Sequence, residues 1–210
     1  MDSLPHCDSD IARRIASRRG YGIFKMSLIA FCGYMGTGKT FAADYLVEEY
    51  GYTRVKFAGP LKNMLRTMGL TDEHIEGELK DKPCDLLDGK TPRWAMQSLG
   101  TEWGRDLISP NLWGNLWEKE VQELLNQHKQ VVVDDCRFDN EVARVKRMKG
   151  LVILLTNPTS EEGAQPSETL PDNPDITLVN QKNEHLKKML DTVIGQNKSL
   201  PKVSQNGWAI

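Results

Sequence analysis

Apolar positions along this chain recur in two alternating rhythms. Short, nearly continuous apolar runs stand at Leu28–Phe31, Val131–Val133, Leu151–Leu155 and Ile176–Val179, and a mixed run at Arg54–Phe57. Runs of this length bounded by turn residues predict strands. Between them the spacing changes to three and four, which predicts helices. Phe41–Tyr50 turns Ala42, Ala43, Leu46, Val47 and Tyr50 to one side, and Gly51 stops it. Pro60 suits the first position of a helix with Leu61, Met64, Leu65 and Met68 inward, ended by Gly69. Thr71–Lys90 is polar and turn-rich and reads as an insertion with one short helix. Thr91 caps the next helix, which carries Arg93, Met96, Gln97 and Leu99 and, after an interruption at Gly100, Trp103 and Arg105. Leu112–His128 follows with Leu112, Trp113, Leu116, Trp117, Val121, Leu124 and Leu125 as an apolar stripe. Phe138–Lys149 and Glu184–Val193 complete the helices.

Strands that alternate with helices predict an α/β fold with a five-stranded parallel sheet and helices on both faces. The long excursion from Gly59 to His128 separates the second and third strands. Ligands bind outside the carboxyl ends of such strands, so the excursion stands over the binding edge. Residues 26–195 read as one domain, with 59–128 as its helical substrate-binding region. Residues 1–25 read as a loose extension whose Arg13, Arg14, Arg18 and Arg19 accompany no apolar signal segment, ahead of a second start at Met26. The tail 196–210 is polar and reads as flexible.

Composition narrows the chemistry. With 210 residues and 39% hydrophobic content, one sizeable core is expected, and no apolar run approaches a bilayer span. The net charge of −2 gives no reason to expect a nucleic-acid polymer as partner. Cys7, Cys32, Cys84 and Cys136 are scattered without a C-x-x-C pair, and the four histidines form no H-E-x-x-H. A disulfide framework or zinc site is therefore not expected, and a reducing cytoplasm fits. The sequence leaves a homodimer open.

The chemistry concentrates after the first strand. Gly33-Tyr34-Met35-Gly36-Thr37-Gly38-Lys39-Thr40 spells G-x-x-x-x-G-K-T between strand and helix, the context of a phosphate-binding loop. Its glycines let the backbone bend around phosphate oxygens, and the helix that follows adds its positive end. Lys39 would reach the β- and γ-phosphates of ATP, and Thr40 would offer a hydroxyl to Mg²⁺. Asp134-Asp135, at the end of a fully apolar strand, would serve the metal as well. Phosphoryl transfer also needs cations around the transferred group. Arg93, Arg105 and Arg137 are candidates beside Lys39, and Lys62 and Arg66, one turn apart, would form a basic wall. Arg137 stands out because a guanidinium suits phosphate bidentately and it directly follows the acids. Trp113 belongs first to the apolar stripe, with base stacking as a second use.

Several stretches together resemble bacteriophage deoxynucleoside monophosphate kinases. They are Gly33–Thr40, Phe57-Ala58-Gly59-Pro60-Leu61-Lys62, Thr91-Pro92-Arg93 with Gln97, Leu99-Gly100-Thr101-Glu102 leading to Arg105, Asn111-Leu112-Trp113, and Asp134-Asp135-Cys136-Arg137-Phe138-Asp139-Asn140-Glu141. Pro166-Ser167-Glu168 and Val179-Asn180 match more weakly. The resemblance covers about Met26 to Val193. It implies a three-layer P-loop kinase-like fold and transfer of the γ-phosphoryl of ATP, with Mg²⁺, to a (deoxy)nucleoside monophosphate in the host cytoplasm. By position, Gly33–Thr40 would hold ATP, Thr40 with Asp134 or Asp135 the metal, and Lys62, Arg93, Gln97, Arg105 and Arg137 the acceptor, with Trp113 as a stacking surface. Arg105 and Arg137 would meet phosphate charge, and Gln97 the base or sugar. The chain departs from the family after the fourth strand: Thr156-Asn157 and Gln165 stand where an Arg and a His are often found. Two other readings keep the same loop: a kinase of another small molecule, such as dephospho-coenzyme A, and a non-kinase ATPase.

Overall fold

The computed structural model describes residues 26–157, 173–181 and 183–194. The expectations for 1–25 and 196–210, and for Gln165 and Pro166-Ser167-Glu168, fall outside these residues. The described chain forms one parallel five-stranded sheet in the order β2-β3-β1-β4-β5. Its strands are β1 (Leu28–Cys32), β2 (Thr53–Arg54), β3 (Val131–Val133), β4 (Leu151–Thr156) and β5 (Ile176–Val179). Helices α1 (Lys39–Tyr50), α2 (Gly59–Thr67), α3 (Asp72–Ile75), α4 (Pro92–Ser98), α5 (Leu112–Asn126), α6 (Asp139–Arg147) and α7 (Asn183–Ile194) connect them.

Because β1 and β3 are central and parallel, their side chains alternate between two buried faces. Ile29 and Phe31 face α1 and α7, where Ala42, Leu46, Leu186 and Leu190 meet them. Leu28, Ala30 and Cys32 face α5 and α6, with Trp117, Val121, Val142 and Val145. A third cluster lies inside the excursion, around Leu61, Leu65, Ile75, Met96 and Trp113. Helix, sheet and helix thus form three layers, and the excursion carries a small core of its own.

The excursion is tied to the sheet layer by a buried cation. The Arg144 guanidinium on α6 donates to Glu118 Oε2 at 2.8 Å and to Asn111 Oδ1 at 3.0 Å. Arg144 is 7% exposed, so α5 and α6 share one buried charge rather than a surface pair.

Several boundaries and faces differ from the sequence reading. The second strand, expected at Arg54–Phe57, is Thr53–Arg54. Val55 still donates to Val132, but the next free N–H groups, of Phe57 and Ala58, turn to the Asp135 carboxylate at 2.9 and 3.0 Å. A side chain takes over from the ladder. Val47 is exposed while Tyr45 is buried, since Tyr45 reaches Asp191 on α7 with its hydroxyl at 2.6 Å. On α2 only Leu61 and Leu65, one turn apart, are buried; Met64 and Met68 lie on the flank, as does Leu116 on α5. The Thr71–Lys90 insertion holds α3 and two short 3₁₀ turns, Glu78–Asp81 and Asp85–Leu87, rather than one helix.

The interruption expected at Gly100 is not a break. The helix continues from α4 as a π-helical stretch, Leu99–Ile108, widened by one residue per turn. Its inner side rests on Trp113, whose indole N–H donates to the Gly100 carbonyl at 2.7 Å. At Gly104 a Cβ would lie 2.5 Å from the Trp113 ring, so the contact requires glycine.

Candidate active site

The loop 33–38 leaves β1 at its carboxyl end and enters α1. Gly33, Gly36 and Gly38 take positive φ angles of 137°, 82° and 98°, which L side chains rarely adopt. A Cβ on Gly33 would also lie 2.2 Å from the Leu155 carbonyl oxygen. Thr37 is buried and its hydroxyl donates to Tyr34 O at 2.9 Å, while Met35, Gly36 and Thr40 face outward. The Lys39 ammonium folds back over the loop and donates to the carbonyls of Gly33 and Tyr34 at 2.6 and 2.7 Å. Two asparagines brace the loop from outside. Asn157, just past β4, donates to Gly36 O at 3.1 Å, and Asn180, just past β5, to Thr37 O at 3.1 Å. Asn157 is one of the residues that stand where relatives often have an Arg and a His, and it supports backbone here.

β3 lies beside β1, so Asp134 and Asp135 emerge at the same sheet edge as the loop. Their environments differ. Asp135 accepts Phe57 and Ala58 N–H groups and lines a cavity; burial pushes its carboxyl up despite those bonds. Asp134 is turned toward α1. Its Oδ2 lies 3.7 Å from Arg54 and 3.9 Å from Lys56, and its buried Oδ1 has no hydrogen-bond partner among the described residues. Arg54 also reaches Thr40 O at 3.5 Å, which places Asp134 and Thr40 on one side of the sheet. An orphaned buried carboxylate oxygen is what a hard cation would satisfy. Among the described residues no three His, Cys, Asp or Glu side chains gather for a metal. Mg²⁺ needs no such cage, because water and phosphate oxygens fill most of its shell.

Beyond Asp135 a cavity of about 360 Å³ opens between the excursion and the sheet. Lys62, Arg93, Gln97, Arg105, Trp113 and Arg137, all named from sequence for the acceptor side, line it together. Arg66 does not. It lies at the outer end of α2, where Nε donates to Asp72 and Nη1 to Asn63 at 2.8 and 2.9 Å. Trp113 is 6% exposed and pinned by Gly100, so it forms a wall rather than a free stacking face.

The cavity also contains residues the sequence reading did not single out: Phe57, Lys80, Phe138 and Glu141. Glu141 joins the parts. Its Oε2 accepts the N–H groups of Arg137 and Phe138 at 2.9 and 3.2 Å, and its Oε1 lies 3.4 Å from Arg105. The Arg105 guanidinium sits 4.2 Å above the Phe138 ring. Burial pushes the Glu141 carboxyl up to about 7, against the pull of those two N–H groups and of Arg105. A weak signal for it was present: a Glu at the third helical position can reach back to the N–H groups ahead of the helix, which is half of a capping box, and Phe138 at the N-cap has no acceptor to supply the other half.

This titration has a sign that can be tested. A carboxyl that holds its proton more firmly folded than unfolded favours folding below its ordinary value, 4.5, and that advantage is lost as pH rises through about 7. Denaturant midpoints should therefore fall between about pH 5 and pH 8, and Glu141→Gln should fall less steeply over the same window. Asp135 is shifted in the same direction, so some slope should remain. An unchanged slope in the variant would remove Glu141 as the source.

No family model matches the chain. A protein of Acanthamoeba polyphaga mimivirus named "Putative deoxynucleotide monophosphate kinase" is 37% identical over 174 residues, 75% of this chain and 90% of that one. An uncharacterised protein, ORF76, of Ictalurid herpesvirus 1 is 27% identical over 175 residues, 82% of this chain but 65% of its own length. Neither is a bacteriophage protein. Among solved structures, an APS kinase of Mycobacterium tuberculosis in complex with AMPPNP and APS shares 12% identity, with a TM-score of 0.46 over 80% of this chain and 98% of that one. Shikimate kinase of Aquifex aeolicus shares 13% identity, with a TM-score of 0.42 over 82% of this chain and 98% of that one.

Proposed function

The chain belongs to the same family as the mimivirus protein named "Putative deoxynucleotide monophosphate kinase", and we propose that it moves the γ-phosphoryl group of ATP to a (deoxy)nucleoside monophosphate. The observation that carries the reading is the cavity beside Asp135. Five cations, Lys62, Lys80, Arg93, Arg105 and Arg137, line it against two carboxylates, Asp135 and Glu141. Such a cavity suits a small anion with an apolar body, because Phe57, Leu61, Met96 and Trp113 supply the remaining wall.

The two ligands meet at the carboxyl ends of β1 and β3. The glycine loop and Lys39 hold the triphosphate of ATP. Thr40 and Asp134 would hold Mg²⁺, which would neutralise charge on the phosphates. Arg137 and Arg105 close on the acceptor phosphate, with Glu141 fixing the loop that carries Arg137 and the distance to Arg105. Gln97 offers its amide to the base or sugar. Trp113 shapes the cavity by holding the π-helical stretch. The chain therefore supplies position and charge, which is most of what phosphoryl transfer requires.

A panel of the deoxynucleoside and ribonucleoside monophosphates, each with ATP and Mg²⁺, tests this directly. Diphosphate should form with at least one of them. If none is phosphorylated while ATP is still bound, the acceptor assignment fails and the loop alone survives.

A further inference from the structure

Lys62, Lys80 and Arg93 reach the outer wall of the cavity from three elements: α2, the 3₁₀ turn Glu78–Asp81 and α4. Two of them hold carboxylates that do not line the cavity. Lys62 donates to Glu76 Oε1 at 2.6 Å. The Arg93 guanidinium forks onto both oxygens of Asp81, with Nη2 to Oδ2 at 2.8 Å. Both acids come from one short segment, Glu76–Asp81, and Lys80 belongs to the same segment. A forked guanidinium is also the geometry with which arginine grips phosphate.

We propose that Lys80 is a further anchor for the phosphate of the acceptor beside Arg105 and Arg137, and that Glu76 and Asp81 are internal stand-ins for that phosphate, released by Lys62 and Arg93 when it binds. This rests on the acceptor reading above and adds to it a residue and an order of events. The Lys80 ammonium is pulled below its ordinary value by burial and by its neighbours Lys62 and Arg93, with Glu76 and Asp81 opposing. On this wall three cations, Lys62, Lys80 and Arg93, stand against two acids, Glu76 and Asp81, which leaves a place for a further anion. Releasing the two acids is easy, because their side chains are 42% and 63% exposed and exposed pairs add little to stability. No side chain of the turn that carries Lys80 and Asp81 is fully buried, so the turn can shift without opening a core. Since both residues lie on one turn, loss of the Asp81–Arg93 fork and approach of Lys80 are a single backbone movement.

The test is equilibrium binding to the full chain of dAMP, dCMP, dGMP and dTMP, of the four matching deoxynucleosides, and of ATP. The wild type should bind at least one monophosphate better than its nucleoside. Lys80→Ala should weaken that monophosphate about tenfold, as expected for a lost charge-assisted hydrogen bond, and Lys80→Arg should restore most of it. Asp81→Asn should move the other way, tightening the monophosphate about threefold, since an exposed competing pair is worth that little. ATP affinity should stay within about twofold throughout, because the cavity wall that holds Lys80 includes no residue of the loop 33–40. If the wild type binds no monophosphate, the acceptor reading itself falls. If it binds one, and Lys80→Ala binds equally well or Asp81→Asn weakens binding, this inference is overturned while the acceptor reading stands. Asp81→Asn keeps the question decidable should Lys80→Ala fold poorly.

Discussion

Lys39→Ala is expected to lower phosphoryl transfer by on the order of 10²-fold or more, because stabilising charge on the transferred group is the largest catalytic contribution such a site makes. Lys39 opens α1, directly after the loop, and its ammonium already lies within 2.7 Å of two loop carbonyls. Those carbonyls are partners of convenience. A triphosphate seated in the loop offers the same ammonium full negative charges in place of carbonyl dipoles, and an ion pair with phosphate outcompetes those two contacts. The substitution should leave the fold intact. Gly33 and Tyr34 are partly exposed, so water can replace the lost donor, and the loop keeps its braces from Asn157 and Asn180. A coupled assay for ADP release, run beside a thermal melt, separates the two effects. An unchanged turnover in a folded variant would sink the assignment of this loop to ATP.

What the sequence revealed about the site follows from where its signals lie. The loop 33–40 was legible because its chemistry is written in consecutive residues: glycines, a lysine and a hydroxyl between strand and helix. The positions of Arg137, Asp134 and Asp135 were legible for the same reason, standing just past an apolar strand, but not that Asp135 would bond the Phe57 and Ala58 N–H groups while Asp134 keeps an oxygen without a partner among the described residues. Residues that meet only in three dimensions were harder. Lys80 sits in a polar insertion with no periodicity, and only the folding of α2, α4 and the 3₁₀ turn toward one another brings it beside Lys62 and Arg93. Arg66 shows the reverse case. Helical spacing put it one turn from Lys62, but α2 ends at Thr67, and Asp72 and Asn63 take its guanidinium outside the cavity.

The fold was legible to a similar depth. The positions of β1, β3 and β4 were legible because parallel strands buried on both faces are continuous apolar runs, whereas the strand order β2-β3-β1-β4-β5 was not written in any local pattern. The end of β2 was misjudged because the apolar run through Phe57 continues after the backbone has turned to Asp135. Gly100 looked like a break. It proved to lie in a widened helix, a choice set by Trp113, which takes the Gly100 carbonyl from thirteen residues further along the chain and could not be paired with it by local spacing.

That widened helix decides which ligand Arg105 serves. Arg105 lies in the π-helical stretch, over the Phe138 ring and 3.4 Å from Glu141, on the cavity side of the end of β3. The glycine loop is braced from β4 and β5 instead, by Asn157 and Asn180. The two sets of supports share no residue, so the loss of one guanidinium should not travel to the other ligand. Arg105→Ala is therefore expected to lower kcat/KM for the acceptor by on the order of 10²-fold, the scale of one charge-assisted contact to a transferring group, while ATP affinity changes by no more than about twofold. Steady-state kinetics with each substrate varied in turn, with direct ATP binding alongside, supply both numbers. Equal losses for the two ligands would mean that Arg105 supports the whole edge of the sheet. A selective loss would assign its charge to the acceptor, where the phosphate arrives already flanked by Arg137 on the loop that Glu141 holds.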